Sequence, residues 1–101
     1  MSSEKREKRS EMAIIRDMLT SAREGARKTR IMYSCNLSYL LLQKYLDKLM
    51  KAGLLEISRD TGLYQCTEKG GQFLKEYYEL EKSLRTLYEK KKNLETLASR
   101  K

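Results

Sequence analysis

The sequence predicts a mainly α-helical fold of the α+β class that contains one small β-hairpin. One observation is an amphipathic segment that ends at Gly53 and precedes two short runs of alternating apolar and polar residues. The other is a regular apolar repeat in the last third of the chain, with no glycine or proline after Gly71. We expect a flexible basic N-terminal arm (1–10), a small globular domain (11–70) and a C-terminal coiled-coil helix (71–101).

Two helices are predicted in the first third of the chain. The first helix closes near Gly25, and Ser3 and Ser10 are alternative caps for its start. A brief extended piece (26–28) separates it from a short second helix, which Thr29 is suited to cap. Asn36 tolerates the left-handed conformation that the following turn needs. The apolar stripe of the first helix consists of Ile14, Ile15, Met18, Leu19 and Ala22.

A third helix begins after Ser38, which is its predicted N-cap. Of Leu40 and Leu41, we expect one to pack against the second helix and the other to be exposed. The predicted core stripe is Leu42, Tyr45, Leu46, Leu49 and Met50. The opposite face, with Tyr39 at its start, consists of Gln43, Lys44, Asp47, Lys48 and Lys51.

A short hairpin follows the third helix. Gly53 is typical of a helix C-cap, and the alternating runs that follow lie on either side of an Asp60-Thr61-Gly62 turn. Arg59 is expected at the base of this hairpin, where a cation can meet a phosphate. The order of helix and hairpin is that of the recognition helix and wing of a winged helix-turn-helix domain.

The last third predicts a long helix with one apolar seam. A helix of about 30 residues is roughly 45 Å long, and it cannot pack along its whole length on so small a domain. We therefore expect a coiled-coil homodimer, in which Tyr88 and Leu97 widen the apolar side, and the spacing does not distinguish parallel from antiparallel pairing. The predicted interface consists of Tyr77, Leu80, Leu84, Leu87, Tyr88, Lys91, Leu94 and Ala98.

Charge and composition limit the classes of function. The 101 residues include 22 Lys and Arg, 14 Asp and Glu and no His, which gives a net charge of +8. Such a chain attracts polyanions, although a charge-rich surface is also common in thermophile proteins. Without histidine, catalysis, a metal site or another cofactor is not expected. Cys35 and Cys66 are interpreted as apolar fillers, with a mutual disulfide as the alternative. No membrane span or signal peptide is predicted, so we expect a protein inside the cell.

Five segments together resemble one family. They are KTRIMY (28–33), NLSY (36–39), YL (45–46), KAGLL (51–55) and TEKG (67–70). They resemble the small archaeal winged-helix DNA-binding proteins that dimerise through a long C-terminal helix, over residues 12–98. The resemblance implies a cytoplasmic, nucleoid-associated homodimer in which an antiparallel coiled coil separates two domains that bind double-stranded DNA. It implies a chromatin or regulatory role with modest sequence preference.

The resemblance also assigns residues to the DNA contact. Because the third helix is poor in Arg and Asn, affinity is expected to come largely from phosphate contacts. A protein-interaction module without nucleic-acid binding is the alternative, and RNA binding ranks third because Tyr33, Tyr45 and Tyr64 are expected to be at least partly buried. No small-molecule ligand is evident. The residues assigned to DNA are Arg27, Lys28, Arg30, Ser38, Tyr39, Gln43, Lys44, Lys48 and Arg59.

Overall fold

Four helices and a two-stranded antiparallel hairpin form the structure, a computed structural model that describes residues 9–99. Most of the predicted N-terminal arm, including Ser3, lies outside the described residues. The predicted α+β class with a long last helix is confirmed. In chain order, the elements are α1 (Glu11–Ser21), α2 (Lys28–Ser34), α3 (Tyr39–Lys51), β1 (Leu55–Ile57), β2 (Tyr64–Cys66) and α4 (Glu68–Ala98).

The hydrophobic core lies between α1, α2, α3 and the base of the hairpin. The predicted stripe of α1 is buried throughout, and so are four of the five stripe residues of α3. Met50 is the exception, since its side chain is 37% exposed. It follows Leu49 by about 100° around the helix and therefore lies at the edge of the buried stripe. The fully buried large side chains are Met18, Leu19, Ile31, Leu42, Leu49 and Leu55.

The start of α2 differs from the prediction. Ala26 pairs with Tyr64 of β2 through two backbone hydrogen bonds of 2.9 Å, one in each direction. This pairing ends the extended segment, so that Arg27 is the N-cap residue and the helix begins at Lys28. Thr29 therefore lies inside α2 and does not cap it. At the start of α1, in contrast, Ser10 is the N-cap and accepts a hydrogen bond from the Ala13 amide at 3.1 Å.

The turn between α2 and α3 has the predicted local geometry. Asn36 has a φ of 54°, the left-handed conformation expected from its residue type. Ser38 is the N-cap of α3, and its hydroxyl oxygen accepts a hydrogen bond from the Leu41 amide at 3.2 Å. Arg9 connects this turn to α1, because its guanidinium donates to the Cys35 carbonyl and to the Asp17 carboxylate, both at 2.6 Å. The turn is thus held by hydrogen bonds at both of its ends.

A glycine ends α3 and directs the chain into the hairpin. Gly53 has a φ of 79°, and the amides of Gly53 and Leu54 donate to the carbonyls of Met50 and Leu49 at 3.1 and 2.9 Å. These two bonds form a Schellman motif. The hairpin then pairs Leu55 with Cys66 and Ile57 with Tyr64.

The first turn of α4 packs against the backbone at the end of α3. Thr67 is its N-cap, and its hydroxyl donates to the Gly53 carbonyl at 2.6 Å while accepting from the Gly70 amide at 3.0 Å. Lys69 donates to the Ala52 carbonyl at 2.7 Å. A Cβ atom on Gly70 would lie 2.5 Å from the Leu54 carbonyl oxygen and 2.6 Å from the Cys66 sulfur. α4 begins at Glu68, three residues before the predicted start at position 71, so Gly70 lies in its first turn.

The outer part of α4 extends away from the domain. Tyr77 lies beneath Arg16 of α1, whose guanidinium carbon is 5.1 Å from the ring centroid, and Arg16 also donates to Glu81 at 2.9 Å. From residue 82 to Ser99, every side chain is exposed. Neither α4 nor any other helix of residues 9–99 is long and apolar enough to cross a membrane.

Gly70→Ala is expected to lower the free energy of unfolding by about 1–3 kcal/mol, because the added methyl group meets a backbone oxygen that has little freedom to move. Gly71→Ala is the matched control. It lies in the same turn with nothing within 4 Å of its added Cβ, and it should be neutral or stabilising by up to about 1 kcal/mol. Urea denaturation of both variants measures the difference. Equal stabilities would contradict the close approach of α4 to Leu54.

Candidate nucleic-acid interface

The exposed face of α3 is the largest feature of the candidate interface. The residues predicted to face away from the core are all exposed, and they lie opposite the buried stripe. Lys51 lies 3.8 Å from Asp47 one turn earlier, so part of the charge on this face is paired. Ser38 at its start is exposed, although its hydroxyl oxygen already caps the helix. The face consists of Tyr39, Leu40, Gln43, Lys44, Asp47, Lys48 and Lys51.

The start of α2 contributes one cation to this face and two to an adjacent surface. Lys28 lies 5.8 Å from the centre of the Tyr39 ring, so the first turns of α2 and α3 meet. Arg27 and Arg30 are exposed and line a shallow cleft together with Leu63 of the hairpin. The structure thus brings Lys28 to α3 but places the two arginines between α2 and the hairpin.

Lys48 has a partner on another helix. Its ammonium group donates a hydrogen bond to Glu11 in the first turn of α1. This hydrogen bond lowers the pKa of the Glu11 carboxyl and raises the pKa of Lys48. Both groups are therefore charged at neutral pH, and a phosphate must compete with Glu11 for this lysine. The two residues are 37 positions apart, so no local sequence pattern indicates the pair.

The position of Arg59 differs from the prediction. It lies in the turn at the tip of the hairpin and not at the base, and its side chain is exposed. The turn is closed by hydrogen bonds from the Ser58 amide to the Leu63 carbonyl at 2.9 Å and from the Gly62 amide to the Ser58 carbonyl at 2.8 Å. Gly62 has a φ of 74°, which favours glycine. Arg59 is therefore presented at the outer end of the wing.

Tyr33 is more exposed than the sequence predicts, and the structure shows which leucine at the start of α3 is exposed. Tyr33 was expected to be partly buried but is 77% exposed, because it lies on the side of α2 that faces the cleft. Leu40 is 80% exposed, as predicted for one of the two leucines, and Leu41 is less exposed at 39%. The position of Leu40 around the helix indicates this exposure, because it lies about 200° around α3 from the buried Leu42.

The cysteines offer little chemistry. Cys35 is buried and Cys66 is half-buried, and both are free thiols, so the alternative of a mutual disulfide is wrong for this structure. Burial raises the pKa of each thiol, which reduces the reactive thiolate at neutral pH. Within residues 9–99, no group of three or more potential ligand side chains is placed to hold a metal ion.

Sequence comparison identifies the family. A model of the winged helix-turn-helix family matches residues 8–85, which include α1 to α3, the hairpin and the first half of α4. This chain belongs to the winged helix-turn-helix family. An uncharacterised protein of the archaeon Methanocaldococcus jannaschii is 35% identical over 77 residues, which are 75% of this chain and 77% of that protein.

Solved structures agree with this assignment. The crystal structure of Sso10a-2, a DNA-binding protein from Sulfolobus solfataricus, superimposes with a TM-score of 0.78 at 32% identity, over 92% of this chain and all of that chain. The resemblance to small archaeal winged-helix DNA-binding proteins is thereby confirmed. The transcriptional repressor CouR, bound to p-coumaroyl-CoA, gives a TM-score of 0.60 at 22% identity over 93% of this chain and 74% of its own, and it shows the shared fold.

On the sequence prediction that Lys48 contacts DNA, Glu11→Gln is expected to strengthen binding to a duplex by about two- to fivefold, because it removes the carboxylate that competes for Lys48. The slope of log K against log salt should become steeper by less than about 0.9, the value for one full phosphate contact, because Lys48 then meets phosphate without competition from Glu11. Fluorescence anisotropy across a salt series measures both quantities. Glu89→Gln is the control, since it removes the same charge from the exposed part of α4. An equal gain in both variants would indicate an effect of net charge alone.

Proposed function

We propose that this protein binds double-stranded DNA as a homodimer, with α3 and the wing of each protomer contacting the duplex. The observation that carries the proposal is the exposed, lysine-bearing face of α3 on a chain of net charge +8. A helix with such a face fits the major groove, while an exposed cation at a wing tip can meet the backbone. The similarity to Sso10a-2, which is a DNA-binding protein, supports the same function.

Phosphate contacts supply most of the affinity in this proposal. The residues proposed to contact DNA include six cations and three polar or aromatic side chains. The exposed face of α3 contains no Arg and no Asn, and Gln43 is its one amide side chain that can read adenine. Lysine neutralises phosphate with little dependence on sequence. The proposed contacts are Arg27, Lys28, Arg30, Ser38, Tyr39, Gln43, Lys44, Lys48 and Arg59.

The outer part of α4 is the proposed dimer interface. Leu80, Leu84, Leu87 and Leu94 lie on one side at heptad spacing, and each is more than half exposed in the single chain. Lys91 lies in the same seam and Tyr88 beside it, both exposed. A second copy of α4 would cover this apolar stripe. Tyr77 differs from the other proposed interface residues, because it already contacts Arg16 of its own chain.

The two α4 helices are proposed to pair in an antiparallel arrangement, as in the family that the sequence resembles. The two domains then lie at opposite ends of the coiled coil, where each can contact a separate site. Such a dimer is suited to bridge or bend DNA on the nucleoid. A regulatory role requires in addition that one sequence is bound much more tightly than the rest.

Titration of several unrelated duplexes across a salt series tests this function. Tight binding to all of them with a steep negative salt slope supports a chromatin role, and one exceptionally tight duplex supports a regulatory role. Absence of binding at low salt would contradict the proposal and favour a protein-interaction module, for which the exposed stripe of α4 would be the docking surface.

Lys44→Ala combined with Lys48→Ala is expected to weaken duplex binding about tenfold or more. The salt slope should fall by between about 0.9 and 1.8, the values for one and two phosphate contacts, because Glu11 competes for Lys48. The fold should be unchanged, since both side chains are exposed. Lys90→Ala combined with Lys92→Ala removes the same charge from α4 and serves as the control. Unchanged affinity in the folded α3 variant would exclude this helix from the interface.

Leu84→Asp and Leu87→Asp are each expected to convert the dimer into monomers, because a carboxylate would be buried without a partner in an apolar seam. Sedimentation equilibrium measures the mass of each variant against the wild-type protein. Lys82→Asp is the control, since Lys82 lies outside the heptad seam on the same helix. If both leucine variants sediment with the mass of the wild-type dimer, this interface is wrong.

A further inference from the structure

One apolar side chain lies on the exposed face of α3, on the side of the helix directly opposite the buried stripe. Leu40 is 80% exposed and lies in the first turn of the helix. Its row continues along the helix with Lys44 and Asp47, at positions i+4 and i+7, on the side opposite the core. Packing in the core therefore does not explain a leucine at this position. The exposed side chain is available to contact another molecule.

The surroundings of Leu40 are those of a polyanion-binding surface. Lys44 is exposed one turn further along the same row. Lys28 lies against the ring of Tyr39, the residue that precedes Leu40. An apolar group bordered by cations matches the major groove, where apolar methyl groups lie between two phosphate backbones. The charge pattern thus favours DNA over a protein partner as the occupant.

We propose that Leu40 contacts the C5-methyl groups of thymine in the major groove and so gives the protein a preference for thymine-containing sequences. This inference rests on the proposed function. The N-terminal residues of a recognition helix are those that approach base edges, and Leu40 is the second residue of α3. The thymine methyl is the one apolar group that the four bases of unmodified DNA present in that groove.

A neighbouring side chain has the complementary chemistry. Gln43 is exposed and lies three residues after Leu40, so the two side chains are neighbours on the helix surface. Glutamine pairs with the N6 and N7 atoms of adenine, the base opposite thymine. Together, Leu40 and Gln43 present one apolar and one amide group, the pair of contacts that an A·T base pair accepts.

The test replaces thymine by uracil, which removes the methyl group and leaves base pairing unchanged. Two A·T-rich duplexes of identical sequence, one with thymine and one with deoxyuridine, are titrated by fluorescence anisotropy. The wild-type protein is expected to bind the uracil duplex about fourfold more weakly for each thymine methyl group that Leu40 touches. Leu40→Ala should bind the two duplexes about equally. Leu41→Ala, the adjacent and less exposed leucine, should keep the wild-type ratio.

The outcomes separate this inference from the proposed function. Equal binding of the wild-type protein to both duplexes would overturn the role of Leu40 while leaving DNA binding intact. The same holds if Leu40→Ala keeps the preference for thymine. If Leu40→Ala changes the sedimentation of the free protein, the leucine is a protein contact and the inference is wrong. Absence of binding to either duplex at low salt would overturn the proposed function together with this inference.

Discussion

The close approach between the first turn of α4 and the backbone that ends α3 determines the arrangement of this molecule. Residues 67–70 make all of these contacts. Thr67 caps α4 and donates to the Gly53 carbonyl, and Lys69 donates to the Ala52 carbonyl. Gly70 has no side chain that would collide with the Leu54 carbonyl. Lys69 places a positive charge where the dipole of α3 ends, which is favourable. The same junction fixes the base of the hairpin, because β2 enters α4 directly. This junction thus sets the positions of both the wing and α4 relative to α3.

A second set of contacts holds the direction of α4. Arg16 lies over Tyr77 and binds both Asp17 and Glu81, and Asp17 in turn binds Arg9 near the turn before α3. These charges are partly exposed, so each ion pair adds little stability by itself. Their value is geometric, since they connect α1, the turn and α4 through neighbouring groups. The exposed part of α4 therefore leaves the domain in a defined direction, as the proposed dimer would require.

Local signals in the sequence predicted the local features correctly. Ser38 caps α3, Asn36 is left-handed and Gly53 ends the helix, because each depends on the chemistry of one residue and its immediate neighbours. Two features that the sequence did not predict depend on distant partners. The start of α2 is set by pairing of Ala26 with Tyr64, and the candidate site loses part of its charge to the pair of Lys48 with Glu11. No pattern along the chain shows either contact.

The charge pairs on the exposed face of α3 bear on the proposal of a homodimer. Asp47 lies near Lys51 and Glu11 holds Lys48, so only part of the positive charge on this face is available to phosphate. A single domain of this kind is expected to bind weakly. In the proposed homodimer, joining two domains through α4 makes the second DNA contact intramolecular and raises the effective concentration. Under that proposal, the long helix compensates by linkage for the charge that is paired on the exposed face of α3.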